Sequence, residues 1–339
     1  MLVHFGRKSP HKIHATELKP AHYAILTTKI KGRYAPNAKY LIRLAKQTGS
    51  KPIVIYPESF KKGPKGWVLT IAGKIYSLTH LPFFSVLPVI GAKQQTPFTL
   101  SILQKLQDAN ISVLNSAEAI KKSDDKLKCY QFLKEHGFAN LPLTFDLSKE
   151  LSQKELDQLP EDVVVKQAQG SSGGDGVWFV KKSELSNHIA PNRLVQEQIA
   201  LETEMNPATG EKRVVDYRYF VINGKTRMVA KNISAPGELA TNIKKGGGRE
   251  TAEINMEMAA IAEEAVNRIG LKWAGVDIGR SVNGEIYVLE VNPTPSMLYD
   301  AFPAFHHARI HLYREILNTV KSLARGRQQK ATVNSKAIA

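Results

Sequence analysis

The sequence predicts a mixed α/β chain of three parts, on three observations. Short β-patterned runs alternate with an amphipathic helix near the N-terminus, and a glycine-rich loop lies between two strands in the middle. Toward the C-terminus, Gly275–Pro295 contains two β-patterned runs separated by Asn283-Gly284, the strongest short hairpin signal. At 339 residues and 42% hydrophobic, the chain is long enough to bury two or three cores.

Composition excludes several classes. One cysteine, Cys129, rules out an intramolecular disulfide and a multi-cysteine zinc site and fits a reducing compartment. Met1–Lys12 lacks the apolar centre of a signal peptide, and the longest apolar stretch, Leu81–Ile90, is broken by Pro82 and Pro88. The expectation is a cytoplasmic protein without a membrane span. The net charge of +16 is uneven: Lys and Arg outnumber Asp and Glu by 17 to 3 over residues 1–115, stand at 25 against 28 over 116–320, and number 5 against none in the last 19. Such asymmetry points to an acidic partner for the N-terminal region.

In chain order, Tyr23–Ile30 and Pro52–Tyr56 read as strands around a helix at Asn37–Gln47, which Gly49 ends. Trp67–Ile71 and Lys74–Leu78 form a hairpin around Ala72-Gly73, Leu100–Ala109 an amphipathic helix, and Ile111–Leu114 a buried strand. Ser123 is the expected N-cap of the next helix, with Lys126 in its first turn and Gly137 at its end. A cation at a helix N-terminus is at odds with the dipole and is better placed beside an anion.

Val163–Lys166 is a strand, followed by Gly170-Ser-Ser-Gly-Gly-Asp-Gly176 and the strand Val177–Lys181. Strand, glycine loop, strand suits backbone N–H groups laid over phosphates; no Gly-Lys-Ser/Thr and no helix follow, so it is neither a Walker loop nor a Rossmann fingerprint. Leu194–Ile199 is a further strand. Val214–Ile222, with Asp216 and Arg218 on one face, turns through Asn223-Gly224 into Thr226–Lys231. The basic glycine stretch Thr241–Arg249 follows, then a helix at Glu253–Ile269.

In the Gly275–Pro295 hairpin, a two-residue type I′ loop at Asn283-Gly284 pairs Val282 with Glu285 and, counting outward, Asp277 with Glu290. Asn292 shares their face, while Val276, Ile278, Leu289 and Val291 face an apolar core. Opposed carboxylates are unfavourable unless a cation lies between them. An Asp, Glu, Asn set suits Mg²⁺, which takes one or two carboxylates and fills its other positions with water and phosphates. The chain ends in a helix at His306–Leu323 and a basic tail expected to be disordered.

Taken in order, Lys126, the Lys166 strand, the Gly/Ser loop, the Glu197 strand, Asp216-x-Arg218, Asn242 and Asp277…Glu290-x-Asn292 resemble the ATP-grasp superfamily, and within it the RimK-type carboxylate–amine ligases. The resemblance runs from about Leu87 to Met297. It implies an ATP-grasp fold: a basic N-terminal α/β domain over 1–115, a lid over 116–200, a C-terminal metal and ATP domain over 201–323, and the tail over 324–339. It implies that Lys126 and Lys166 contact ATP phosphates under a lid containing Ser171, Ser172, Gly173 and Gly174. Glu197 and the Gln198 backbone would meet adenine, Asp216 the ribose, and Asn242 joins this nucleotide set. Asp277, Glu290 and Asn292 would hold Mg²⁺, or Mn²⁺ in its place. Arg218 and the Lys244–Arg249 loop, with Lys245 and Arg249, would face the acyl-phosphate and the substrate carboxylate.

The implied activity is ATP-dependent joining of a carboxylate to an amine through an acyl-phosphate, on amino acid or peptide substrates, with an acidic peptide or protein as the acceptor at the basic N-terminal region. A phosphotransferase acting on a hydroxyl is the alternative enzyme. A nucleic-acid-binding protein with a regulatory ATP site is the alternative from another class, disfavoured because the basic segments lack interleaved aromatics. The chain departs from the family pattern at Gln167, where proline is usual, at Ala240, where many members carry arginine, and at Pro293-Thr-Pro-Ser. Lys244, Lys245 and Arg249 are the candidates to replace the missing arginine.

Overall fold

The computed structural model describes residues 23–30, 33–34, 36–90, 96–170, 176–206, 209–241, 246–295 and 305–338. The N-terminal part runs β1 (Tyr23–Thr27), β2 (Lys29–Ile30), β3 (Arg33–Tyr34), α1 (Pro36–Gln47), β4 (Ile53–Ile55), β5 (Phe60–Gly63), β6 (Gly66–Ile71), β7 (Lys74–Ser77), β8 (Ser85–Val89), α2 (Pro97–Asp108) and β9 (Ser112–Val113). Strands β4-β1-β8-β9 form a parallel sheet. All of β1 is buried, as a parallel strand covered on both faces must be. Its residues alternate between two cores: Tyr23 and Ile25 meet α1, while Ala24 and Leu26 meet α2 and the small sheet β5-β6-β7. The β6–β7 hairpin turns at Ala72 and Gly73, both at positive φ (47° and 82°), the signature of a type I′ turn.

Next come α3 (Ala117–Ser123) and α4 (Lys126–Glu135), then a small antiparallel sheet made by β10 (Thr144–Asp146), α5 (Gln153–Gln158), β11 (Asp162–Gln167), β12 (Val177–Lys181) and β13 (Arg193–Glu197), in strand order β10-β13-β11-β12. Val163, Val165 and Val195 fill its own compact core. Residues 116–200 do not pack as one unit, however. Cys129, Leu133 and Phe138 sit in the core of the C-terminal sheet, and Ala117 and Ile120 sit in the N-terminal one. Ser123 ends α3 rather than capping α4; the N-cap is Asp125, whose carboxylate accepts from the Lys128 N–H at 3.1 Å. Lys126 is therefore the first helical residue.

The C-terminal part comprises β14 (Thr203–Met205), β15 (Lys212–Ile222), β16 (Lys225–Ile233), β17 (Gly248–Ala252), α6 (Met256–Ile269), β18 (Trp273–Arg280), β19 (Ile286–Asn292) and α7 (Phe305–Ile338). The large sheet has the order β17-β16-β15-β18-β19, with β14 on β15. On one face Tyr219, Val221, Val276 and Ile278 pack on α6, which Asn255 caps and Gly270, at φ 85°, ends. On the other face Phe220, Ile222, Met228 and Trp273 join α1 and α7. Helix α7 runs through the tail expected to be disordered: Ala324 is fully buried, and Arg327 Nε donates to Ser112 Oγ at 3.3 Å. Packing on β9 supplies what the tail's composition does not. Among the described residues no helix is long and apolar enough to cross a membrane.

Asn115 ties the N-terminal sheet to the large one. Its Nδ2 donates to the carbonyls of Trp273 (2.7 Å) and Pro293 (2.8 Å), and its Oδ1 accepts from the N–H groups of Lys272 (2.7 Å) and Trp273 (3.0 Å). At 1% exposure no water substitutes for it. Asn115→Ala strands buried backbone groups, so a loss of about 3 kcal/mol or more is expected; a urea midpoint within error of wild type overturns this.

Candidate active site

The turn between β18 and β19 differs from the two-residue loop its sequence suggests. Ser281 N–H donates to Glu285 O (2.8 Å) and Gly284 N–H to Ser281 O (2.9 Å), with Gly284 at φ 88°. The loop has three residues, and Val282 N–H instead donates to Ala200 O at 2.8 Å. A β-bulge at the Asp277/Ile278 step restores the register, so Asp277 does face Glu290. The bulge also turns Leu289 away from the apolar core, to which Val276, Ile278 and Val291 belong. Leu289 Cδ1 lies 3.1 Å from where a Cβ on Gly279 would stand, on the Asp277 face. That face is thus carboxylate at one end and aliphatic, Leu289 with Leu201, at the other.

The opposed carboxylates have their cations. Arg218, directly across β15 from Asp277, donates from Nε to Oδ1 and from Nη2 to Oδ2, both at 2.6 Å. Gly275, beside this fork, makes room for Pro295, since a Cβ there would lie 2.8 Å from Pro295 Cβ and in ordinary contact, 3.4 Å, with Arg218 Cδ. Lys126 Nζ lies 3.3 Å from Glu290 Oε1, which explains a lysine at a helix start. The Lys126 N–H donates to Ala168 O at 2.9 Å, joining α4 to the end of the β11 strand. Lys166 Nζ donates to Gln196 Oε1 at 2.5 Å, and Gln196 Nε2 donates to Thr144 Oγ1 at 2.8 Å.

Charge and burial compete here. Burial alone would raise the Glu290 carboxyl, but Lys126, Arg218 and Lys166 outweigh it and hold it below its ordinary value. Lys166 is pushed down to about 8 by burial, against the pull of Glu290. Asp216 is pushed up to about 6, first by burial and then by Asp277. Lys166 and Asp216 are thus the two groups whose charged forms burial disfavours.

Asp216 does not stand open to a ribose. Its carboxylate is 8% exposed and accepts from Asn232 Nδ2 (2.5 Å) and from Thr241 Oγ1; Arg249 Nε donates to the other end of the same Asn232 amide. Glu197 is likewise engaged, accepting from the Leu143 N–H at 2.7 Å, and the Gln198 N–H donates to Asp162 O at 3.2 Å. Asn292 pairs with Gly275, two residues beyond Glu290. The structure therefore places Asp216, Arg218, Arg249, Asp277 and Glu290 on the large sheet and brings Lys126 from α4 and Lys166 from β11 to Glu290, while Glu197 ends β13 and Gln198 begins the strap that leads to the large sheet. Ser171, Ser172, Gly173, Gly174, Asn242, Lys244 and Lys245 lie outside the described residues.

Sequence reasoning missed Gln196, Asn232 and Thr241. Gln196 and Asn232 are buried polar residues, 1% and 3% exposed, each two residues after a buried apolar one, Leu194 and Ala230; a polar residue at an inward strand position was the available signal. Thr241, in a loop, offered none.

The donor set fits Mg²⁺: two carboxylates opposed on adjacent strands, a neutral Asn292 on the same face, and cations that already offset the pair. Among the described residues no cluster of three His, Cys, Asp or Glu exists, so a metal here depends on other ligands, as Mg²⁺ with phosphates does.

A family model described as the RimK-like ATP-grasp domain matches residues 123–301. A probable alpha-L-glutamate ligase of Aeromonas salmonicida is 34% identical over 63% of this chain and 70% of its own length. One of Parasynechococcus marenigrum is 31% identical over 60% of this chain, which spans only 42% of that protein. Among solved structures, the ATP-grasp ligase PsnB, complexed with a precursor variant, Mg and ADP, aligns with TM-score 0.63 at 14% identity over 90% of this chain and 99% of its own. A RimK domain ATP-grasp protein of Sphaerobacter thermophilus gives 0.61 at 16% identity over 88% and 99%, and D-alanine–D-alanine ligase of Bacillus anthracis with ATP gives 0.59 at 15% identity over 91% and 99%. The fold is that of ATP-grasp ligases, and with its opposed carboxylates and converging lysines this chain belongs to the RimK-like ATP-grasp family.

Proposed function

We propose that the protein joins L-glutamate to the end of an acidic peptide or protein at the expense of ATP. The reaction is ligation of a carboxylate to an amine. A carboxylate oxygen attacks the γ-phosphorus of ATP, the bond to the β-phosphate oxygen breaks, and ADP leaves; the amine nitrogen then attacks the acyl carbon, phosphate leaves and the nitrogen gives up a proton. Such chemistry needs charge neutralisation and alignment rather than a protein nucleophile. The observation that carries the reading is the set of three cations, Lys126, Lys166 and Arg218, around the opposed Asp277 and Glu290, with Arg249 at the far end of the buried row that begins at Asp216. Cys129, which burial pushes up to about 12, is no nucleophile.

Asp277, Glu290 and Asn292 would hold Mg²⁺, or Mn²⁺, which when bound offsets phosphate charge. Lys126 and Lys166 would meet the phosphates from the α4 and β11 sides. Leu201 and Leu289 offer an aliphatic surface suited to a base, and the strap from Gln198 to Glu202, hydrogen-bonded to Val282 and Arg280, borders it. Arg218 and Arg249 are left for the acyl side. Glutamate is supported by the relatives' names, a peptide acceptor by neighbours such as MdnC bound with precursor peptide MdnA, and its acidity by the N-terminal excess of positive charge.

The central test is ADP release with L-glutamate and a panel of acidic peptides, products weighed by mass spectrometry. A product heavier by one dehydrated glutamate supports the reading; a phosphorylated product supports a kinase instead. Asp277→Asn and Glu290→Gln should each lower turnover at least about a hundredfold in protein that still folds by circular dichroism, with a lowered melting temperature, and near-normal rates in either would remove the metal assignment. On the N-terminal sheet Lys61, Lys62 and Lys65 are exposed; replacing all three with Glu should raise KM for the acidic acceptor and leave KM for ATP unchanged. Lys166 loses its proton as pH rises through about 8, so its attraction for phosphate is present below that pH and fades above it. ATP should therefore bind with proton uptake near pH 8, seen as a buffer-dependent calorimetric enthalpy that Lys166→Arg abolishes.

A further inference from the structure

Asp216 on β15, Asn232 on β16 and Arg249 on β17 stand in one row across three strands, each directly opposite the next. All three are buried, at 8%, 3% and 7% exposure. An asparagine amide is the group that can bridge such a row, donating at one end and accepting at the other. Here Nδ2 donates to Asp216 Oδ1 and Oδ1 accepts from Arg249 Nε. The partners on both sides settle which end is which. Thr241 Oγ1, donating to Asp216 Oδ2, holds the carboxylate from the far side. With its Nε edge held, the Arg249 guanidinium has its plane set by the row.

We propose that Asn232 is a positioning residue: by holding Asp216 with one end of its amide and Arg249 with the other, it orients the Arg249 guanidinium to receive the anionic oxygens of the acyl substrate, on its phosphoryl group or its carboxylate. This rests on the assignment of Arg249 to the acyl side above. Asp216 is then the anchor of the row and not a ribose contact.

The test uses the full chain and calorimetry. Protein saturated with MgADP is titrated with inorganic phosphate and, separately, with L-glutamate. Asn232→Ala and Arg249→Ala should each weaken one of these anions by roughly ten- to a hundredfold, the cost of a charge-assisted hydrogen bond, with MgADP affinity kept. The arm that weakens names the group received. The double variant should bind no more weakly than Arg249→Ala alone, because Asn232 acts through Arg249. Asn232→Asp alone sets two buried carboxylates side by side and should weaken the same arm; combining it with Asp216→Asn restores one amide beside one carboxylate, keeps every donor facing an acceptor, and should recover binding. This exchange pair carries the test if Asn232→Ala fails to fold. Unchanged affinity in both arms for Asn232→Ala, losses that multiply in the double variant, or an exchange pair as weak as Asn232→Asp alone would each overturn the proposal. Wild-type protein that binds MgADP but neither anion overturns it too, whereas failure to bind MgADP at all sinks the ATP reading itself.

Discussion

Two carboxylates placed opposite each other on adjacent strands organise this molecule. Side chains in such a pair lie about 5 Å apart at Cβ, and Asp277 and Glu290 are largely out of water, with side chains 12% and 30% exposed. Such a pair is unfavourable unless cations are built in beside it. Arg218 answers for Asp277 through two hydrogen bonds from the neighbouring strand, and Lys126 answers for Glu290 from the first turn of α4. Removing one partner of such a buried pair typically costs about 3–5 kcal/mol, so the arrangement constrains β15, β18, β19 and α4 at once. In the proposed reaction a phosphate chain with its metal would share these cations, so the pair would serve binding as well as folding.

The surrounding architecture serves that constraint. Pro295 packs against the strand at Gly275, where a Cβ would lie 2.8 Å from Pro295 Cβ. The edge of β19 is not left open: Val288 N–H donates to Asn140 O at 2.8 Å and Asn140 Nδ2 donates to Ile286 O at 2.9 Å, which blocks pairing with another chain. Tyr130, on α4, donates from its hydroxyl to Leu289 O at the bulge. Helix α4 therefore touches the hairpin through a lysine and a tyrosine, and it touches β11 through the Lys126 N–H. Any shift of the small sheet relative to the large one is felt by the residue that pairs with Glu290.

The two faces of the large sheet divide the work along each strand. Tyr217 and Tyr219 of β15 point to the α6 side, where the Tyr219 hydroxyl donates to Met258 Sδ at 3.3 Å, while Asp216 and Arg218 between them point to the site. Farther along, Phe220 and Ile222 carry the site face into the core shared with α1 and α7. One strand thus supplies charge to the site at one end and apolar anchorage to the N-terminal domain at the other, which fixes the site's floor to the part of the chain richest in positive charge.

Period-two alternation, turn residues and helix caps are local, so they were legible in the sequence: the β15–β16 turn at Asn223 and Gly224, at φ 51° and 71°, the end of α6 at Gly270, and the face shared by Asp277, Glu290 and Asn292. The order of charged motifs was enough to identify the family. Three things needed the folded chain. The register of the β18–β19 hairpin came out as counted only because a longer turn and a bulge cancel, and that bulge moved Leu289 to the other face; turn length and bulges depend on neighbours such as Ala200 that lie far off in sequence. The helical state of the tail depended on the surface of β9 waiting for it. The fate of Asp216 depended on Asn232 and Thr241, 16 and 25 residues away. Sequence determines which side chains share a strand face, because that follows from geometry within a few residues; which of them are tied to one another and which are left to meet a ligand is decided by strand order, which only the tertiary structure sets.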